Sequence, residues 1–479
     1  WTQERILELD QIQNWNNSNK LPLFMTATCK FSYFDNPEEQ SAGEQVLLNP
    51  NGGAIALLST TRLVYSAPNY NLNTKFIKTV FDSVEGLRLG DVFKETKRLS
   101  GTSTNNRNFT LLGNPALQLS YPRFDVITTN INDTLKALNQ VTIEGQIEAS
   151  GTILSDFNGT IFPTVFDKEI IKTTLGQESC TPMPYRDQNN IIYKGAASVV
   201  DGKFSFSFIV PKDIAYNYEN GKISYYALSD NEINLTDANG FESNFVIGGM
   251  GEDINYDYDG PEITLYMNDT LFVNGGITNS NPILIANVFD FSGINTVGNG
   301  IGHDITVILD DNTSEPYILN DFYEANKDDY QNGIINFPFY NLEPGKHQVR
   351  VKVWDVFNNS AESEITFTVM PNDNLVINNF NNYPNPFSFS TAFYFQHNQV
   401  DQQLDFILNI YSITGVLIKS LDISSFISNG YRVGPIVWDG TNSYGAKVNP
   451  GVYIANLTVS DKNNNKFTTK SNTPFTALA

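Results

Sequence analysis

From Pro122 to the carboxyl terminus the chain carries no helical periodicity and keeps one pattern only. Apolar and polar residues alternate through Val141–Ile147, Lys203–Val210 and Lys222–Leu228, and Asn, Asp, Gly and Pro punctuate the runs between them. Period-two alternation is the signature of strands with one face buried, and those four residue types supply the turns that join them. Most of the molecule must therefore be layered β structure. The 479 residues are 41% hydrophobic and 13% aromatic, enough core material for three or four domains and too much for a disordered chain.

The first 122 residues read differently. Glu4–Asn14 places Ile6, Leu7, Leu9 and Ile12 on one helical face, and Leu21–Ala27 follows as a buried strand. Ser41-Ala-Gly-Glu44 has capping-box spacing ahead of a helix through Val46–Leu48. Gly53–Thr60 is a second apolar strand and Leu72–Val84 a second amphipathic helix. Strand, helix, strand, helix predicts an α/β layer with a parallel sheet. The expected organisation is an α/β domain over 1–122 and β-sandwiches over 123–250 and 251–371. The acidic stretch Gly251–Gly260 reads as the linker between them, and a final β module over 372–479 opens near Tyr383-Pro-Asn-Pro-Phe387.

A net charge of −22 with no cluster of Lys and Arg excludes nucleic acid as a partner and disfavours anionic lipid. No apolar run reaches the roughly 18 residues of a spanning helix. The two cysteines, Cys29 and Cys180, fall in separate domains, so a disulfide between them is not expected.

Cys29 stands just past the carboxyl end of the strand Leu21–Ala27, where open α/β sheets form their ligand crevice. Two readings are open for it: a small buried hydrophobe or a nucleophile. A nucleophilic thiol needs a base, and the three histidines, His303, His347 and His397, all belong to the β modules. Each reads as a strand or turn residue rather than as the partner of Cys29. No cofactor is expected, and no zinc or EF-hand spacing occurs. Calcium is the one metal the composition admits, at Glu252–Asp259 or at Asp310-Asp311-Asn312; the other reading of both is a solvated turn.

Leu21-Pro-Leu-Phe-Met-Thr-Ala-Thr-Cys-Lys-Phe31, Ser41-Ala-Gly-Glu44, Leu48-Asn-Pro-Asn-Gly-Gly-Ala-Ile-Ala-Leu-Leu-Ser-Thr-Thr-Arg62 and Leu111-Leu-Gly-Asn-Pro-Ala-Leu117 together resemble the gingipain family of caspase-like cysteine peptidases. The resemblance implies a caspase-type half-domain with Cys29 as nucleophile. It also implies a catalytic histidine in a His-Gly turn just before the tryptophan that Trp1 resembles, and a substrate cleft lined by Thr60, Thr61 and Arg62. Asn385-Pro-Phe387, Trp438-Asp-Gly-Thr-Asn-Ser-Tyr-Gly445 and Gly451-Val-Tyr453 resemble the FlgD-type immunoglobulin-like module at the ends of type IX secretion cargo.

With the middle segment Ser292–Asp304 and Val353–Asn359, the combination resembles the sortases of that secretion system. What it implies is a cell-surface enzyme at the outer membrane that removes the C-terminal signal domains of secreted cargo. By the same resemblance it attaches the cargo to anionic lipopolysaccharide, with the outer-membrane barrel PorV as partner. Two rival readings stay open: a secreted gingipain-like protease, and a non-catalytic adhesin or docking scaffold.

Overall fold

The computed structural model describes residues 7–18, 20–82, 87–176, 180–231, 235–252, 254–298, 302–370, 375–399, 402–427, 430–461, 466–470 and 475–478. It is a mostly β, multidomain chain that separates into two compact units, Trp1–Tyr121 and Pro122–Ala479.

In the first unit the ordering element is the strand β2 (Ala56–Thr60), five consecutive buried residues. Successive side chains of a strand face opposite ways. Leu57 accordingly enters a core with Ile12, Phe31, Ala42 and Val46, whereas Leu58 enters a second core with Leu72, Phe76, Val80, Val92 and Phe109. The first core packs under α1 (Leu9–Gln13) and α2 (Ala42–Leu48), the second under α3 (Ser66–Asp82) and α4 (Leu89–Leu99). Helices on both faces of a short sheet give the α/β layering that the apolar spacing predicts. The capping box forms as well: Ser41 Oγ accepts from the Glu44 N–H at 3.4 Å, and Glu44 Oε2 accepts from the Ser41 N–H at 2.8 Å. Of the predicted first helix, residues 4–6 lie outside the described residues.

The sheet departs from expectation in one respect. The strand β1 (Leu23–Met25) runs parallel to β2, with Phe24 opposite Leu57, but β3 (Phe109–Gly113) is antiparallel to β2. The sheet is therefore mixed. Two helices absent from the sequence reading, α4 and the short α5 (Thr104–Asn108), lie between α3 and β3.

In the second unit the alternation is realised directly. Along Lys203–Ile209 the rings of Phe204, Phe206 and Phe208 point inward, and Tyr193 stacks on Phe208 with centroids 4.7 Å apart. Opposite Phe204 sits Gly145, where an added Cβ would lie 2.2 Å from the ring. A 12-stranded sheet runs from Lys203–Ile209 to Glu262–Met267. It is continuous because Ile191–Val200 pairs in parallel with Tyr323–Lys327, Gly195 facing Ala325. One hydrophobic core, from Val126 to Val369, lies along it.

Residues beyond 374 build a separate core between two further sheets, in which Trp438 is 1% exposed and its indole N–H donates to the Thr441 carbonyl at 2.9 Å.

Candidate active site

The loop after β1 is stitched to the loop after β2. Thr26 N–H donates to the Leu58 carbonyl at 3.0 Å, and the Thr26 and Ser59 hydroxyls meet at 2.8 Å. Lys30 N–H then donates to the Arg62 carbonyl at 3.3 Å, and Ser32 N–H to the Thr60 carbonyl at 2.9 Å. Lys30 takes the left-handed conformation, with φ at 56°, which turns the chain sharply just after Cys29. Asn69, in the first turns of α3, donates its amide to the Ala27 carbonyl at 2.6 Å.

These ties hold Cys29 half-buried beside Val64. The Val64 N–H donates to Sγ at 3.4 Å, and the thiol donates to the Val64 carbonyl at 3.5 Å. A half-buried thiol in the loop after a strand's carboxyl end is placed where a nucleophile could meet a ligand.

The other expected cleft residues divide by exposure. Thr60 is fully buried and its hydroxyl donates to the Thr28 carbonyl; Thr61 gives its N–H to the Asn108 carbonyl at 2.8 Å and its hydroxyl to the same oxygen at 3.2 Å. Both hold the loop by contacts within the protein. Arg62 is exposed. Its guanidinium forks onto Asp35 at 2.9 and 2.5 Å and lies 4.7 Å above the Tyr33 ring. That hydrogen-bonded guanidinium holds the Asp35 carboxyl below the usual carboxylate range, and Asp35 in turn raises Arg62. Sequence reading missed Asp35, Asn69, Asn105 and Asn108. The signal that could have found the last two was the amide-rich run Asn105-Asn106-Arg107-Asn108 after the helix cap Ser103.

The histidines are engaged in the second unit. His303 Nδ1 meets the Asp213 carboxylate at 2.7 Å, and its ring lies 4.4 Å from that of Trp354. His347 sits between the Asp310 carboxylate and the Glu343 carbonyl, both at 2.7 Å. His397 is fully buried, and burial pushes it down to about 4. Cys180 is exposed, and both cysteines are free thiols.

Of the two carboxylate runs admitted for calcium, Asp310 and Asp311 are taken up by His347 and Arg350. Asp257, from the other run, comes together with Asp290 and Asp355, one ligand oxygen of each within 4.8 Å of the others. Asp290 and Asp355 are buried, and three hard oxygens so close could hold a cation such as calcium. Burial first, and then the neighbouring carboxylates, push Asp290 up to about 7 against the backbone N–H groups of Ser292 and Gly293. Among the described residues no helix is long and apolar enough to cross a membrane.

Comparison with known proteins follows this geometry. Residues 1–120 match peptidase family C25, the gingipain family of cysteine peptidases. Over 90% of its length the chain is 30% identical to dimeric latent PorU from Porphyromonas gingivalis, with a TM-score of 0.34. The chain is thus similar to the gingipain family in its first 120 residues and to PorU over most of its length. It spans 41% of the length of that PorU chain.

Two further solved structures match at lower identity. The fibronectin(III)-like modules of Clostridium thermocellum CbhA are 9% identical over 44% of this chain and 92% of theirs, with a TM-score of 0.18. A bacterial ice-binding adhesin is 12% identical over 75% of this chain and 98% of its own, with a TM-score of 0.15. No curated protein sequence matches the chain.

Proposed function

We propose that the protein is a cell-surface cysteine peptidase and transpeptidase, a sortase of the type IX secretion system. In this reading it cleaves C-terminal signal domains from secreted cargo and attaches the cargo to anionic lipopolysaccharide at the outer membrane, beside PorV. The observation that carries the reading is Cys29: a half-buried thiol at the carboxyl end of β1, inside the segment that matches peptidase family C25, with a backbone N–H on its sulfur.

In this mechanism the Cys29 thiolate adds to the peptide carbonyl at the cleavage site, and the C–N bond breaks. The signal domain leaves as an amine after taking up a proton, and the cargo is held as a thioester. An amine of the glycolipid then attacks the thioester carbonyl, forming an amide and returning the sulfur as thiolate; water in the same place gives hydrolysis. In the related family the proton is carried by a histidine of a His-Gly turn, and none of His303, His347 and His397 is assigned that role here. A caspase-type half-domain and immunoglobulin-like β modules belong to the same proposal, the β modules serving as docking surfaces.

The test is cargo processing in cells that express Cys29→Ala in place of the native chain. Unprocessed cargo retaining its signal domain is the expected result, and normal processing would sink the reading. Normal processing would leave standing the second reading, a non-catalytic surface scaffold.

A further inference from the structure

The Cys29 sulfur faces two different peptide units, and each of these is held at its far end by an asparagine of α5. The unit between Leu63 and Val64 presents its N–H to Sγ at 3.4 Å, and its C=O accepts from Asn108 Nδ2 at 2.7 Å. The unit between Val64 and Tyr65 presents its C=O to the thiol at 3.5 Å, and its N–H donates to Asn105 Oδ1 at 3.0 Å. Asn105 is buried and closes a second bond, from Nδ2 to the Tyr65 carbonyl at 2.7 Å. In a trans peptide the N–H and C=O point in opposite directions, so an anchor at one end aims the other. A hydrogen bond at one end also polarises the group at the other.

The two contacts act on the thiol with opposite sign. A backbone N–H favours the charged sulfur, whereas a carbonyl that receives S–H favours the neutral one. We propose that Asn105 and Asn108 are positioning residues that set the balance between thiol and thiolate at Cys29 through the two peptide units flanking Val64. Asn108 favours thiolate and Asn105 favours thiol. The catalytic significance rests on the reading of Cys29 as nucleophile; the effect on the sulfur does not. The charged and titratable side chains on the segments that meet at Cys29 are Lys30, Tyr33, Asp35, Arg62, Tyr65 and, on α5, Arg107, and the substitutions below leave all of them in place.

A consequence concerns the substrate. With Arg62 O, Leu63 O, both polar groups of Val64 and both of Tyr65 already bonded, this stretch offers a peptide few backbone partners. Recognition by this loop falls to its side chains, of which Leu63 and Tyr65 are 66% and 75% exposed.

The experiment is the rate of Cys29 alkylation by iodoacetamide across roughly pH 5 to 10, in the full chain carrying Cys180→Ser so that a single thiol reacts. Asn108→Ala should move the profile to higher pH and slow alkylation near neutrality by about threefold, with Asn108→Gln recovering part of the loss. Asn105→Ala should move it to lower pH and speed the reaction by a similar factor; Asn105→Leu, close in size, takes its place if the smaller residue unfolds. A purely structural role would displace both profiles in one direction or neither, and either of those results overturns the proposal. Alkylation is read without cargo, so it separates this inference from the peptidase assignment, which Cys29→Ala tests alone.

Discussion

The ammonium of Lys168 lies 2.9 Å from the carboxylate of its chain neighbour Asp167, with 3% and 2% of the two side chains exposed. The same carboxylate oxygen accepts the Lys168 N–H at 2.8 Å. An ion pair taken so completely out of water is stable only as a pair. Lys168→Met is expected to cost about 3 kcal/mol or more by leaving the carboxylate buried alone, and Asp167→Asn a comparable amount. Urea unfolding of the full chain measures both; a loss below about 1 kcal/mol for both would contradict the pairing.

The adjacent residues Leu57 and Leu58 occupy opposite cores, so truncating each loosens a different set of helices. Each Leu→Ala substitution should cost about 2 to 5 kcal/mol. Amide exchange should rise in α1 and α2 for Leu57→Ala, and in α3 and α4 for Leu58→Ala. Identical exchange maps for the two variants would refute the division into two cores.

His397 makes the last module sensitive to acid. Its ordinary value of 6.5 falls to about 4 in the fold because burial disfavours the charged ring. Between these values the unfolded chain binds the extra proton, so stability is full above about pH 6.5 and is lost as the pH falls toward 4, by up to about 3 kcal/mol. A near-isosteric neutral residue, as in His397→Gln, should flatten that slope. Melting temperatures measured from pH 7 down to pH 4.5 would show an unchanged slope if the ring is not the cause.

Asp290 runs the other way. Its carboxyl, normally near 3.8, is raised to about 7, so the folded state holds the proton more tightly and stability falls as the pH rises through that interval. In a chelator, Asp290→Asn should raise stability at pH 8 by about 2 kcal/mol or more, by less at pH 5, and not at all below about pH 3.8. A destabilised variant at pH 8 under those conditions would show that the carboxylate is compensated within the protein.

Much of this architecture was readable before the structure. Period-two alternation is a local property, and it located strands such as Lys222–Ser229 and Lys203–Ile209 almost to the residue. The position of Cys29 after an apolar strand was equally local. What escaped were features made by distant segments meeting. The antiparallel pairing of β3 is made across three intervening helices, and Asn105 and Asn108 take on their contacts only where α5 meets Leu63 and Tyr65. Asp290 and Asp355 each belong to an ordinary strand end, and only the fold brings them to Asp257.

The parallel pairing of Ile191–Val200 with Tyr323–Lys327 also sets a schedule for the chain as it emerges. Strand Ile191–Val200 can join Gly159–Phe166 early, and its end pairs locally with Lys203–Ile209, but the stretch of its other border around Gly195 and Ala196 waits until Tyr323–Lys327 arrives far downstream. During that interval an unsatisfied edge is open to any extended peptide nearby, including another nascent copy. Assembly of this region is thus a race between completion within one molecule and mispairing between two, and slower delivery or higher local concentration tilts it toward the second.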